Sequence, residues 1–135
     1  MKFPFGRRRT VLVRALLGAA LASASVSLQA ADIAAGEVDH MLQFVRDSSC
    51  TFIRNGSDHT SAEAADHIAM KAKHAGVKVN NGDTLIDLVA SKSSITGQPY
   101  YVQCPGAAKT ESATWLHQEL NRYRASQATA ALVKP

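Results

Sequence analysis

The chain has 135 residues, with 15 Lys and Arg against 11 Asp and Glu. Five of the basic residues lie in the first 30, so the remainder carries ten basic and eleven acidic side chains and is close to neutral. That removes the electrostatic footprint of a nucleic-acid binder, and the roughly 105 residues left suffice for one small domain but not two.

Lys2, Arg7, Arg8, Arg9 and Arg14 precede an apolar, small-residue run over 15–28, and no acidic residue comes before Asp32. This is the order of a cleavable secretory signal, with cleavage expected after Ala30 or Ala31. The run is too short, and too rich in Ala, Ser and Gly, to make a good membrane span. No cysteine near the cleavage point offers a lipid anchor. Arg8-Arg9-Thr10-Val11-Leu12 also fits a twin-arginine signal, although an ordinary arginine-rich leader is the simpler reading. The expected organisation is a signal peptide over 1–30, one globular domain over 31–124 and a disordered tail over 125–135. The expected location is periplasmic or secreted, with no stable membrane anchor and no nucleic-acid partner.

A first helix is predicted over 34–47, where Val38, Met41, Leu42 and Val45 fall at i, i+3, i+4 and i+7 with Phe44 beside them. Cys50-Thr51-Phe52-Ile53 then reads as a short strand, closed by the turn signal Asn55-Gly56. Thr60-Ser61-Ala62-Glu63 is a capping box opening a second helix, with Ala65, Ile68, Ala69 and Ala72 as its buried stripe and Gly76 as its stop. A third helix is expected after Asn80-Asn81-Gly82, capped by Asp83 or Thr84, with Leu85, Leu88 and Val89 on one face and Ile86 adjacent. It gives way to the polar run over 90–96 and the turn residues Gly97-Gln98-Pro99. Tyr100-Tyr101-Val102-Gln103-Cys104 is the second strand, stopped by Pro105-Gly106. The fourth helix is expected near Thr110 with Glu111 in its first turn, and Leu116, Leu120 and Tyr123 form its stripe beside Trp115.

The two cysteines fall one in each strand. In an oxidising compartment an even pair in a small exported domain is most simply a disulfide. Neither belongs to a C-x-x-C motif or has an adjacent basic group of the kind that activates a catalytic thiol. The predicted fold is therefore mainly α, about four short helices with a small two-stranded β element, stapled by Cys50–Cys104.

Several blocks together carry a resemblance. They are Cys50-Thr51-Phe52-Ile53-Arg54-Asn55-Gly56, Ala65-Asp66-His67-Ile68 with Lys71, Ala90-Ser91-Lys92-Ser93-Ser94 with Gly97, Tyr100 and Cys104, and Trp115-Leu116 with Tyr123-Arg124. In order and spacing they resemble the YfeK-like family of small exported bacterial proteins, from about Val38 to Arg124. The resemblance implies export, one domain and the cysteine pair. It implies no activity.

Three groups of residues invite chemistry. Arg54, just before a turn, suits a bidentate clamp on a carboxylate or phosphate; the plainer alternative is an ion pair to Asp66 or Glu63 pinning the turn onto helix 2. His67, Lys71 and His74 share a helix face distinct from the alanine stripe. Two histidines seven apart lie about 10 Å from each other along a helix, too far for one metal ion, so no metal site is expected and a solvated face with His67 bonded into the turn is the default. Ser91, Lys92, Ser93 and Ser94 offer hydroxyls and an ammonium to an anion, and a serine beside a lysine is a pairing used in nucleophilic catalysis. Neither S-x-x-K nor G-x-S-x-G occurs, however, and a position after a helix favours cations, so Lys92 capping free carbonyls is the alternative. Trp115, Tyr100, Tyr101 and Tyr123 read either as core and rim aromatics or as the lining of a peptide or glycan groove.

The expected function is a non-enzymatic binding or protein-interaction module without a cofactor. Its expected recognition surface joins Arg54, Asn55, His67, Lys71, Ser91, Lys92, Ser93 and Ser94, and its expected partner is an envelope protein or a small anionic ligand. The alternatives are a small cell-envelope hydrolase using a serine of the 91–94 run or His67, and a structural or stress-related envelope protein.

Overall fold

The structure, a computed structural model, describes residues 24–134, with side chains from 32 onward. The expected signal segment lies outside the described residues up to 23, and its last residues already belong to helix α1 (Ala24–Asp47). Met41 and Val45 of α1 are buried, and the Ser48 hydroxyl closes the last turn by donating to the Val45 carbonyl at 2.8 Å. A hairpin follows, β1 (Thr51–Arg54) and β2 (Ser57–His59), joined by Asn55-Gly56 with φ of 50° and 78°. Positive φ at both central residues gives the primed turn whose twist matches that of the strands, which is why Asn-Gly sits there. The strand β2 is not evident in the sequence because Ser57-Asp58-His59 has no apolar alternation.

Helix α2 (Ser61–Ala75) opens on the expected capping box: the Glu63 N–H donates to the Thr60 hydroxyl oxygen at 3.2 Å and the Thr60 N–H to the Glu63 carboxylate at 2.8 Å. It ends at Gly76, with φ of 60°, and a 3₁₀ turn Gly76–Lys78. Helix α3 (Gly82–Leu85) is capped by Asn81, not by Asp83 or Thr84; the Asn81 side chain accepts the Thr84 N–H at 2.9 Å. It continues as a π-helical turn Ile86–Ala90, whose wider winding moves the buried face. Leu85, Ile86 and Val89 are buried, whereas Leu88, expected beside them, is 49% exposed.

Strand β3 (Tyr101–Gln103) pairs antiparallel with β1, and β4 (Thr110–Glu111) pairs with β3. The sheet thus has four strands in the order β2-β1-β3-β4, where two were expected. Glu111, expected inside the last helix, is the extended residue that precedes α4 (Ser112–Val133). That helix continues through the stretch that reads as an irregular tail, with its side chains from 125 onward exposed. Cys50 and Cys104 form a disulfide just outside the Thr51↔Gln103 pair. Closing a loop with a sequence separation of 54 is worth about 4 kcal/mol in the chain-entropy account.

The core is one cluster, built from α1, α2, α3 with its π turn, α4 and one face of the sheet, with Met41, Ala65, Ile86, Val102 and Leu120 at its centre. Trp115 packs against Phe44 at 4.5 Å and Phe52 at 5.7 Å between ring centres, half-buried at the edge of the core. A buried ionic clamp joins three helices. Glu37 accepts hydrogen bonds from Arg124 Nε and Nη2 at 2.6 and 2.9 Å and from the Gly82 N–H at 2.9 Å, and Arg124 also donates to Asp83 at 2.7 Å. At Gly82 an added Cβ would stand 2.4 Å from Leu120 Cδ1, so only glycine admits this approach of α3 to α4.

The Arg124 hydrogen bonds hold the Glu37 carboxyl below its ordinary value of 4.5. Its stabilising effect is therefore present above that value and is lost as pH falls through the lower folded value. Arg124→Ala leaves the buried Glu37 carboxylate with only the Gly82 N–H, and should cost about 2 kcal/mol in urea unfolding at neutral pH. Glu37→Gln should flatten the acid limb of the stability curve below that carboxylate range.

Candidate functional site

Strand alternation builds the site. The pairs Phe52↔Val102 and Phe52↔His59 place these three side chains on one face of the sheet. Phe52 and Val102 are buried in the core, so this is the face covered by the helices. Two residues further along β1 comes Arg54, and one step beyond the Ile53↔Tyr101 pair lies Tyr100, so both belong to the same face. Tyr100 is fixed at both backbone groups: its N–H donates to the Ser91 carbonyl at 2.8 Å and its carbonyl accepts the Ser112 N–H at 2.9 Å. From α2, His67 and Lys71 stand one turn apart and next to the buried Ala64 and Ile68.

Most of these residues surround a cavity between β1, α2 and the start of α4. Its volume is about 30 Å³. Its floor is buried and apolar, made by Phe52, Ala64, Ile68, Ala90 and Leu116. The half-buried Arg54, His59 and His67 stand at its rim with Tyr100. Lys71 stands outside the cavity behind Tyr100, with Nζ 5.3 Å from the centre of the Tyr100 ring and donating to the Lys92 carbonyl at 3.3 Å.

The rim is mainly basic, with Glu63 near enough to feel it: the Thr60 hydrogen bonds, and then the charges of His59 and Arg54, hold the Glu63 carboxyl below its ordinary value. Burial and then the charges of Arg54, Lys71 and His59 push the His67 pKa down, and burial and Arg54 push Lys71 down. Burial pushes the Tyr100 phenol up, against the opposing effects of Arg54 and Ser93. Among the described residues none of Arg54, His59, His67 and Lys71 has a carboxylate at ion-pair distance. The carboxylates suggested as partners of Arg54 are engaged elsewhere, Asp66 by Arg46 and Glu63 by Thr60. The ion pair that would have pinned the turn is thus absent. His67 is not bonded into the turn region either; its Nε2 is buried without a hydrogen-bond partner.

Of the eight residues expected on one surface, the structure brings together Arg54, His67, Lys71 and, beside Tyr100, the buried Ser93. Asn55 lies at the hairpin tip and accepts the Thr96 hydroxyl at 3.0 Å. Ser91 donates to the Asp87 carbonyl at 3.2 Å, and the Lys92 and Ser94 side chains are exposed. Lys92 contributes its carbonyl, capped by Lys71, where Lys92 itself was the expected cap. The Ser93 oxygen accepts the Ile95 and Thr96 N–H groups at 3.3 and 3.2 Å, the geometry of a turn cap. His59 is a member of the site that the sequence did not single out, and Tyr100 was named only among the core, rim or groove aromatics; the missing signal was the cross-strand register, which pairs His59 with Phe52.

An unfolded histidine takes a proton near pH 6.5, before folded His67 does, so this group lowers stability as pH drops below that value. Wild type should therefore lose more unfolding free energy between pH 7.5 and 5.5 than His67→Gln, as measured by urea titration. The Arg54, His59, Lys71 and Tyr100 groups facing His67 are unchanged in that comparison.

The resemblance noted in the sequence holds up against known proteins. The chain is 44% identical over 50 residues to an uncharacterised YfeK protein of Salmonella typhimurium, an overlap of 37% of this chain and 42% of that one. It thus spans less than half the length of the curated relative it matches. No solved structure matches it. A family model described as a family of unknown function, DUF5329, matches residues 32–124, nearly the whole described domain, and the chain belongs to that family.

Proposed function

We propose that the chain is an exported, non-enzymatic binding module that receives a small anionic group at the rim formed by Arg54, His59, His67 and Tyr100. The observation that carries this is the gathering of Arg54, His59 and His67 around one cavity, with Lys71 close by and no carboxylate at ion-pair distance among the described residues. Burial and the Arg54 charge lower the affinity of His67 and Lys71 for protons, and an anion between them relieves that cost. His67 Nε2 and the phenol of Tyr100 add hydrogen-bonding capacity, and Arg54 can grip a carboxylate or phosphate through two N–H groups. Ser91 and Ser93 are tied to local backbone groups, which favours binding over a serine nucleophile. Export is supported by the charged and apolar order of the first 30 residues and by the disulfide. Among the described residues no helix is long and apolar enough to cross a membrane.

Titration of the protein with acetate and with inorganic phosphate, followed by backbone NMR, checks the assignment. At least one should shift the amides of Arg54, His67 and Tyr100, and Arg54→Ala should weaken that binding about tenfold or more. Shifts scattered over the surface, or equal affinity in the variant, would contradict it.

A further inference from the structure

We infer that the ligand of this cleft is a small monocarboxylate bearing a compact apolar group, of the size of isobutyrate. This rests on the anion-binding assignment above and adds the class of ligand. The cleft has two unlike halves. The rim is basic and half-buried, while the floor made by Phe52, Ala64, Ile68, Ala90 and Leu116 is apolar and closed. An inorganic anion seated at the rim leaves that floor uncovered, and moving its charge inward removes hydration that apolar walls cannot replace. A ligand whose charge stays at the rim and whose hydrocarbon enters the floor satisfies both halves.

Size narrows the class further. The 30 Å³ of the cavity corresponds to about two waters, and so to a short branched substituent in place of a long chain. Ala64 and Ala90 are the small side chains that leave this space, and both are buried. A carboxylate also fits the rim donors. Arg54 offers a planar fork, and His67 Nε2, which lacks a partner, becomes a donor to the anion once the ring is protonated or in its Nε2–H tautomer.

The test is calorimetric titration of the full mature protein with acetate, propionate, isobutyrate, hexanoate and inorganic phosphate. Affinity should rise about threefold to fourfold for each added carbon that enters the floor, reach its maximum near isobutyrate and fall at hexanoate. Ala64→Val, which fills the floor, should abolish the preference of isobutyrate over acetate. If that variant melts early, the chain-length series on the wild type decides alone. Equal affinity for acetate and isobutyrate, or tighter binding of phosphate, would overturn the ligand class while the anion cleft stands. Failure of every anion in the series would overturn both.

Discussion

The cleft depends on the register of β1 against β3. The pairs Thr51↔Gln103, Phe52↔Val102 and Ile53↔Tyr101 run away from the disulfide, and Arg54 and Tyr100 are the residues just past the last pair. The covalent bridge is at one end of the pairing and the site is at the other. Because side chains alternate across a sheet, a slip of one residue would turn Arg54 and Tyr100 away from α2 and expose Phe52 and Val102. The burial of Phe52 and Val102 and the Cys50–Cys104 bond therefore fix more than stability. They aim the rim side chains at His67.

The rest of the fold distributes charge so that the cleft stays basic. Glu37 is held by Arg124 and the α3 N-terminus, Glu119 by His40 and Arg122, and Asp83 and Asp87 flank His117. Glu63 serves the start of α2, and Asp66 pairs with Arg46 on the exposed side of the same helix. These acidic groups knit helices together or stabilise a helix end. None of them comes within ion-pair distance of the basic groups of the cleft, although burial makes an unpaired charge there more costly than on open surface. A site kept basic at that cost is consistent with a molecule that meets an anion.

Much of the fold was legible in the sequence because the signals were local. The apolar stripe of α1, the Thr60–Glu63 capping box and the Asn55-Gly56 turn each act over a few residues, and two cysteines allow only one intramolecular pairing. The misses share a physical origin in longer-range structure. Ser57-Asp58-His59 becomes a strand because it pairs with β1, not because of its composition. Leu88 left the core because a π-helical turn changed the winding, and Asn81 displaced Asp83 as the cap because its side chain reached the Thr84 N–H. The site was half legible. Arg54, His67 and Lys71 stood out as chemistry-bearing residues, but His59 and Tyr100 join them only through strand register. Asn55, Ser91 and Ser94 were grouped with them by proximity in sequence, which the folded chain does not preserve.

The most direct measurement is a crystal structure of the mature protein grown with isobutyrate. The carboxylate should lie at the rim within hydrogen-bonding distance of Arg54 and His67 Nε2, with its methyl groups against Phe52, Ala64 and Ile68. A cleft holding only water, with Arg54 turned out to pair with a surface carboxylate, would contradict the account.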